Sequence, residues 1–302
     1  MKNSATSGFG KRRDDFRPVK RSAARLWAGK MFYSAKCKLL WRFIKRHFPK
    51  DRGEISPAHL HFAHKTPLSR NLRGDDMVYQ QGKIKNLSVA LPRLSGIVLH
   101  PGQVMSFCYL IGKPSKRRGF VPGMVLTGGR VSPGIGGGLC QMSNLIYWIT
   151  LHTPLTVVQR YRHGYDVFPD SNRKQPFGSG ATCAHPYLDL MIRNNTDYDF
   201  KLCLEMDDEY LRGAWYGAKA PSEGYEIVEK NHEMRVEAFG GYSRHNELWR
   251  NVYNTKGSFL REEMISENHA MMMYSPLMPQ ETTTNTKKQQ GEDKNEGTSK
   301  DL

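Results

Sequence analysis

From Lys20 to Phe48 large apolar residues alternate with cations: Leu26, Trp27, Met31, Phe32, Leu39, Leu40, Trp41, Phe43 and Ile44 lie among Arg21, Arg25, Lys30, Lys36, Lys38, Arg42, Lys45 and Arg46. That spacing predicts one or two basic amphipathic helices. Their apolar stripe has two places to go, the body of the protein or an anionic membrane surface, and internal docking is the commoner fate. Leu87, Ala90, Leu91 and Leu94 stand at i, i+3, i+4 and i+7, which predicts a short helix from a cap at Asn86 to a stop at Gly96, with Pro92 placed to kink it. Alternation then replaces the helical period. Residues 104–109 read as a strand, and residues 124–127 and 130–132 as a hairpin around Gly128-Gly129, whose glycines supply the positive φ of a tight turn. A second hairpin is predicted from residues 187–193 and 198–206 about the turn Asn194-Asn195-Thr196-Asp197, with 209–216 as a third strand. Short strands at 225–228, 234–239 and 248–253 read as an extension of that sheet.

Between the hairpins, Leu145, Ile146, Trp148, Ile149 and Leu151 cover most of one helix's circumference before Pro154 ends it, the mark of a buried helix. The expected fold is therefore α+β, a mainly antiparallel sheet packed around a buried central helix starting at Cys140, with a helical N-terminal segment. Five segments follow from the pattern: a disordered basic leader (1–19), a basic helical segment (20–76), a core domain (77–217), a β extension (218–279) and a disordered polar tail (280–302).

Composition refines this picture. The 302 residues are 38% hydrophobic and 25% charged, which suits a packed core. The net charge of +16 suggests a nucleic-acid partner until its position is read: residues 1–52 hold sixteen Lys and Arg against three acids, leaving only +3 for the remaining 250. Nucleic acid is disfavoured as a partner, and the basic segment 20–48 is the place for peripheral contact with an anionic membrane. No apolar run reaches the ~18 residues of a membrane-spanning helix, and no secretory leader is visible. Five cysteines, an odd number without scaffold-like spacing, point to reduced thiols. Both observations lead to the expectation of a cytoplasmic protein, peripheral at most at the inner face of the membrane.

One stretch carries candidate chemistry: Gly136-Gly137-Gly138-Leu139-Cys140-Gln141-Met142-Ser143. The glycines let the backbone turn sharply and approach a ligand. Cys140 falls at the first turn of the buried helix, where the macrodipole and unpaired N–H groups favour a thiolate. His163, just beyond the strand-like run 155–158, is the candidate base of a cysteine nucleophile of the kind used by papain-like enzymes, and Asp166 or Asp170 the candidate orienting acid. Packing is the competing reading, since cysteine is among the most buried residue types. The loop lacks the Gly-Lys-Ser/Thr ending of a P-loop, so nucleotide binding is disfavoured. Cys108, Cys140, His163, Cys183 and His185 are the remaining metal-ligand types, but no CxxC or HxxxH pair joins them, and neither a metal nor another cofactor is expected. His47, His59, His61 and His64 read as solvated.

These blocks, in order, resemble the VanW family: Pro101-Gly102-Gln103 with Ser106-Phe107, the Gly136–Ser143 block, Arg160 to His163, Ala181-Thr182, and Leu188-Asp189-Leu190 leading into Arg193–Asp197. Similarity extends to the Trp27–Leu40 segment and to Leu151–Thr156, so it covers about residues 20–216. The resemblance implies association with vancomycin resistance and peptidoglycan metabolism, with a cell-wall peptide or precursor as ligand. It places the family's shared residues at Gly136, Gly137, Gly138, Cys140, Gln141 and His163, and makes Ser143 and Arg160 candidate binding residues. One position departs: many members carry an acid before the Ala-Thr pair, and here it is Gly180. Cys140 is then either a nucleophile or a packing residue of a non-catalytic accessory protein.

Overall fold

A computed structural model describes residues 21–56, 58–69, 76–127, 129–167 and 175–275. The leader 1–19, the tail 280–302 and Asp170 lie outside them. The chain opens with α1 (Ala23–Ile44), capped by Ser22, whose hydroxyl accepts from the Arg25 N–H at 3.3 Å. One stripe of α1 docks: Cys37 and Trp41 are buried, with Trp41 edge-on to Tyr109 and tilted against His185. Ile44 packs beside them, while Leu26, Trp27, Met31, Phe32, Leu39, Leu40 and Phe43 face outward, so the helix docks by a single stripe.

After a 3-10 turn at Lys45–His47 the helical segment ends, and β1 (His59–Pro67) follows. Sequence reading missed this strand because His, Lys and Thr dilute its alternation. Its histidines are not simply solvated: the His61 ring meets the Lys219 carbonyl at 3.0 Å and packs on Phe200, and His64 bonds Gln175. α2 (Asp76–Leu94) is longer than predicted. Asn86 lies within it rather than capping it. Its buried amide donates to Val121 and Gly137 and accepts from the Val121 N–H, which replaces the capping function with a tertiary one.

The core sheet has the order β1, β10 (Tyr210–Gly217), β9 (Phe200–Met206), β2 (Ile97–Leu99), and is antiparallel throughout. β3 (Val104–Ser106) pairs with β8 (Met191–Arg193), which also pairs with β6 (Thr156–Gln159). The 104–109 run therefore divides: its second half becomes α3 (Phe107–Ile111), because the Ser106 hydroxyl caps it by accepting from the Tyr109 N–H. The predicted pairing of 187–193 with 198–206 does not form. Asn194, fully buried, donates to Leu99 O and Tyr198 O and so sends the chain from one sheet into another. β4 (Pro122–Thr127) and β5 (Arg130–Ile135) form the hairpin expected around the glycine pair.

α4 (Cys140–Leu151) is the buried central helix, with Met142, Leu145, Ile146, Tyr147, Ile149 and Leu151 all at 2% exposure or less. Each such side chain contributes roughly 1.5–3 kcal/mol on burial. Its C-terminal half is pinned to the core sheet: the Trp215 indole donates to Thr150, and His152 stacks on Phe62 at 3.9 Å between centroids.

Beyond residue 217 the structure builds a sheet of its own instead of extending the first. Long strands β11 (Glu223–Glu237), β12 (Gly241–Asn254) and β13 (Phe259–Met272) form an antiparallel meander, with the short β7 (Tyr165–Asp166) added in parallel to β13. Their length escaped detection because Glu, Arg, Asn and His interrupt the apolar alternation. The meander is tied to α4 by Arg250, which donates to Leu151 O and Thr153 O while bonding Glu263 and covering the Tyr225 ring. Arg250→Ala should lower stability by about 2–3 kcal/mol, because two helix-end carbonyls and one carboxylate lose a charged donor together. Urea unfolding checks this; a loss under about 0.5 kcal/mol would mean that the meander docks without the clamp.

Candidate functional site

The approach to Cys140 is built from glycine for steric reasons. Gly136 and Gly138 have φ of +79° and +91°, and a Cβ on Gly137 would fall 2.2 Å from the backbone of Gly123. The closest approach of this loop is thus to its own chain: Asn86 bonds the Gly137 carbonyl, and Lys83 packs on Gly138. Gln141 turns away and donates to Thr66 and Pro67 at the end of β1. These residues fix where α4 begins, and with it the position of the sulfur.

Cys140 sits half-buried at that N-terminus, where the first turn carries no acid. Cys183 lies opposite, Sγ to Sγ 3.7 Å, and the His163 ring is near enough to the Cys140 sulfur to influence its titration. The Cys183 thiol, donating to it, holds the Cys140 thiol well below its ordinary value against the opposing effect of burial, with His163 adding to the depression. Cys183 moves the other way. Its contact with Cys140 and its burial push it well above the ordinary thiol range. Among the described residues no three His, Cys, Asp or Glu side chains converge in a way that suits a metal ion.

Two segments bring the partners in, and the first is held by residues read in the sequence as site residues. The loop before Cys183 is held by Arg160, which donates to the Gly178 and Gly180 carbonyls and lies over the Tyr147 ring. Ser143, wholly buried, donates to Ala181 O at 2.6 Å. Arg160 and Ser143 thus stand beneath the thiol pair as supports. The His163 segment is held on one side by the Thr182 N–H donating to Tyr161 O, and on the other by β13, whose Met271 N–H donates to Gly164 O. The C-terminal meander completes the positioning of the histidine.

Asp166 is placed elsewhere. The Asp166 carboxylate accepts from the Tyr274 hydroxyl at 2.9 Å and lies 3.5 Å from Arg244. Asn144 occupies the ground where the acid missing at Gly180 would stand: a Cβ there would lie 2.8 Å from Asn144 Oδ1, which accepts from the Ala181 N–H. Asn144 and Cys183 were both missed as site residues. The signal for Asn144 was its position one helical turn beyond Cys140. That for Cys183 was its place directly after the Ala-Thr pair, one of the blocks that carry the resemblance.

The VanW family, described as "VanW like protein", matches residues 82–216. Over 201 residues, 67% of this chain, the sequence is 35% identical to the "Vancomycin B-type resistance protein VanW" of Enterococcus faecalis, 73% of whose length is covered. The chain belongs to the VanW family. A second relative, the "Uncharacterized protein YoaR" of Bacillus subtilis, is 30% identical over 82 residues, 27% of each chain. No solved structure matches. The VanW match contains Cys140, His163 and Cys183 and stops at residue 216, so β13, which holds the histidine segment, lies outside it.

Proposed function

We propose that this VanW-family protein takes part in vancomycin resistance as a thiol-dependent enzyme that handles an acyl group of a cell-wall peptide or precursor. The observation that carries the reading is a half-buried sulfur at a helix N-terminus, 3.7 Å from a second thiol, with an imidazole near enough to help lower its pKa. In this reading the Cys140 thiolate attacks a peptide carbonyl, and the positive end of α4 stabilises the developing oxyanion. The C–N bond breaks, the amine leaves with a proton from His163, and a thioester remains on Cys140. Water, or a second amine, then attacks the thioester while His163 takes back its proton, and the Cys140 thiolate leaves. The association with resistance rests on the name of the Enterococcus faecalis relative.

Incubating the protein with a muramyl pentapeptide precursor and reading intact mass tests the proposal. A covalent acyl adduct is expected, mapping to Cys140 and absent in Cys140→Ser. No adduct and no peptide product, from a protein whose Cys140 is fully reactive to alkylation, would rule the reading out. It would leave an accessory protein that binds without breaking a bond.

A further inference from the structure

We propose that the outward face of α1 lies on an anionic phospholipid bilayer and holds the protein at a membrane surface. The helix buries one stripe, that of Cys37 and Trp41, and leaves a second apolar stripe on the opposite side. Phe32, Lys36, Leu39, Leu40 and Phe43 follow i, i+4, i+7, i+8, i+11 and so share one face. Phe32 is 65% exposed, Leu39 55% and Phe43 71%, values unusual for such side chains in water.

Charge decides among the occupants such a stripe could have. Arg25, Lys30, Lys36, Lys38 and Arg42 lie on the same helix, which contains no Asp or Glu. A second copy of α1 packed on this face would bring five like charges against five. An anionic headgroup layer accepts them all, with the aliphatic stems of Lys and Arg lying along the acyl boundary and their heads among the phosphates. Spanning is excluded by the same charges: 22 residues are long enough to cross, but no helix of the described residues is apolar enough to do so. A helix lying in the interface plane fits both facts. The inner stripe meets the residues just beyond Cys183, since the Cys37 thiol donates to Pro186 O at 2.9 Å and Trp41 packs on His185. The bilayer would therefore lie on the same side of the molecule as the thiol pair.

The test is cosedimentation of the full chain with vesicles of phosphatidylglycerol and phosphatidylcholine, against phosphatidylcholine alone, at low and high salt. Binding to the anionic vesicles should exceed binding to the neutral ones by at least about tenfold and weaken with salt. Phe32→Ser, Leu39→Ser and Phe43→Ser combined keep every charge and remove only exposed side chains, so folding, checked by circular dichroism, should persist while vesicle binding falls at least about tenfold. Unchanged binding by that triple variant would mean that the basic leader acts alone, and the proposal would fall. It would fall equally if both vesicle types bound alike. Concentration-dependent dimerisation that the triple variant abolishes, without vesicle binding by the parent chain, would assign the stripe to a second copy and overturn the proposal as well.

Discussion

Iodoacetamide at pH 7 should alkylate Cys140 first in the native protein, at least about 100-fold faster than Cys37 or Cys108. An ordinary thiol is only a few per cent ionised at that pH, and only the thiolate reacts. Burial pushes Cys37 up to about 11, and burial with the nearby Asp189 carboxylate pushes Cys108 well above its usual range, so both are almost wholly protonated. Cys140 is shifted the other way, well below the usual thiol range, by the Cys183 thiol, with His163 adding to the depression. A thiolate so stabilised is a weaker nucleophile than an ordinary one, but a Brønsted slope of about 0.4–0.5 offsets only part of the gain in ionised fraction.

The pH profile separates this arrangement from simple accessibility. In the parent protein the Cys140 rate should change less steeply between pH 6 and 9 than that of an ordinary thiol, because its pKa is held well below the usual range. Cys183→Ala removes the largest stabilising contact and should make the profile rise through that range, with a rate at pH 6 about tenfold below the parent's. Cys183→Ser, which keeps a donor at the same place, should recover part of the loss. His163→Ala should have a smaller effect in the same direction, since its contribution to the depression ranks below that of Cys183. Mass-spectrometric labelling of all five cysteines measures each rate in one experiment. Should Cys140 react no faster than Cys203, whose thiol burial pushes up, no thiolate is present and the nucleophile assignment fails.

The local features of this fold were legible in the sequence wherever one residue type had one physical outcome. The all-round apolar helix from Cys140 to Leu151 had to be buried, and it is. The Gly128-Gly129 pair had to turn a hairpin, and β4 and β5 pair around it. What escaped was decided by partners remote in the chain. Asn86 looks like a cap because asparagine usually is one, but here its amide bridges Val121 and Gly137 from inside α2. Asn194 sits in a turn sequence, yet its side chain bonds to Leu99, nearly one hundred residues away, and it separates two strands that local pattern would pair. Site residues behave in the same way. Cys140 and His163 were visible because a helix start and a strand end are local signals, whereas Cys183 and Asn144 act through contacts that only the fold brings about.

The same distinction bears on stability, where two buried titrating groups should hide each other. His152 at the end of α4 donates to Trp148 O and stacks on Phe62, and burial lowers its pKa to about 4. From pH 6.5 down to about 4 the unfolded chain takes up a proton there that the folded chain refuses, so stability falls as pH falls, by about 3 kcal/mol in all at 1.36 kcal/mol per unit. Asp189 has the opposite sign. Burial raises it from 3.8 to about 6, despite donation from the Ser106 hydroxyl and the Cys108 N–H. Between those values the folded chain holds the proton more firmly, so stability falls as pH rises, again by about 3 kcal/mol in all. Across pH 4 to 6 the two slopes oppose each other, and together they should contribute almost no pH dependence. Single substitutions should expose each one. Asp189→Asn, which keeps the polar shape, should leave the His152 slope, making stability rise with pH by about 1.4 kcal/mol per unit relative to the parent. His152→Phe, which keeps the stack on Phe62, should leave the Asp189 slope and make stability fall by a similar amount. Urea unfolding at half-unit steps from pH 4 to 7 reads both differences, with every other titrating group common to the three proteins. Variant curves running parallel to the parent's would show that neither group is shifted in the fold.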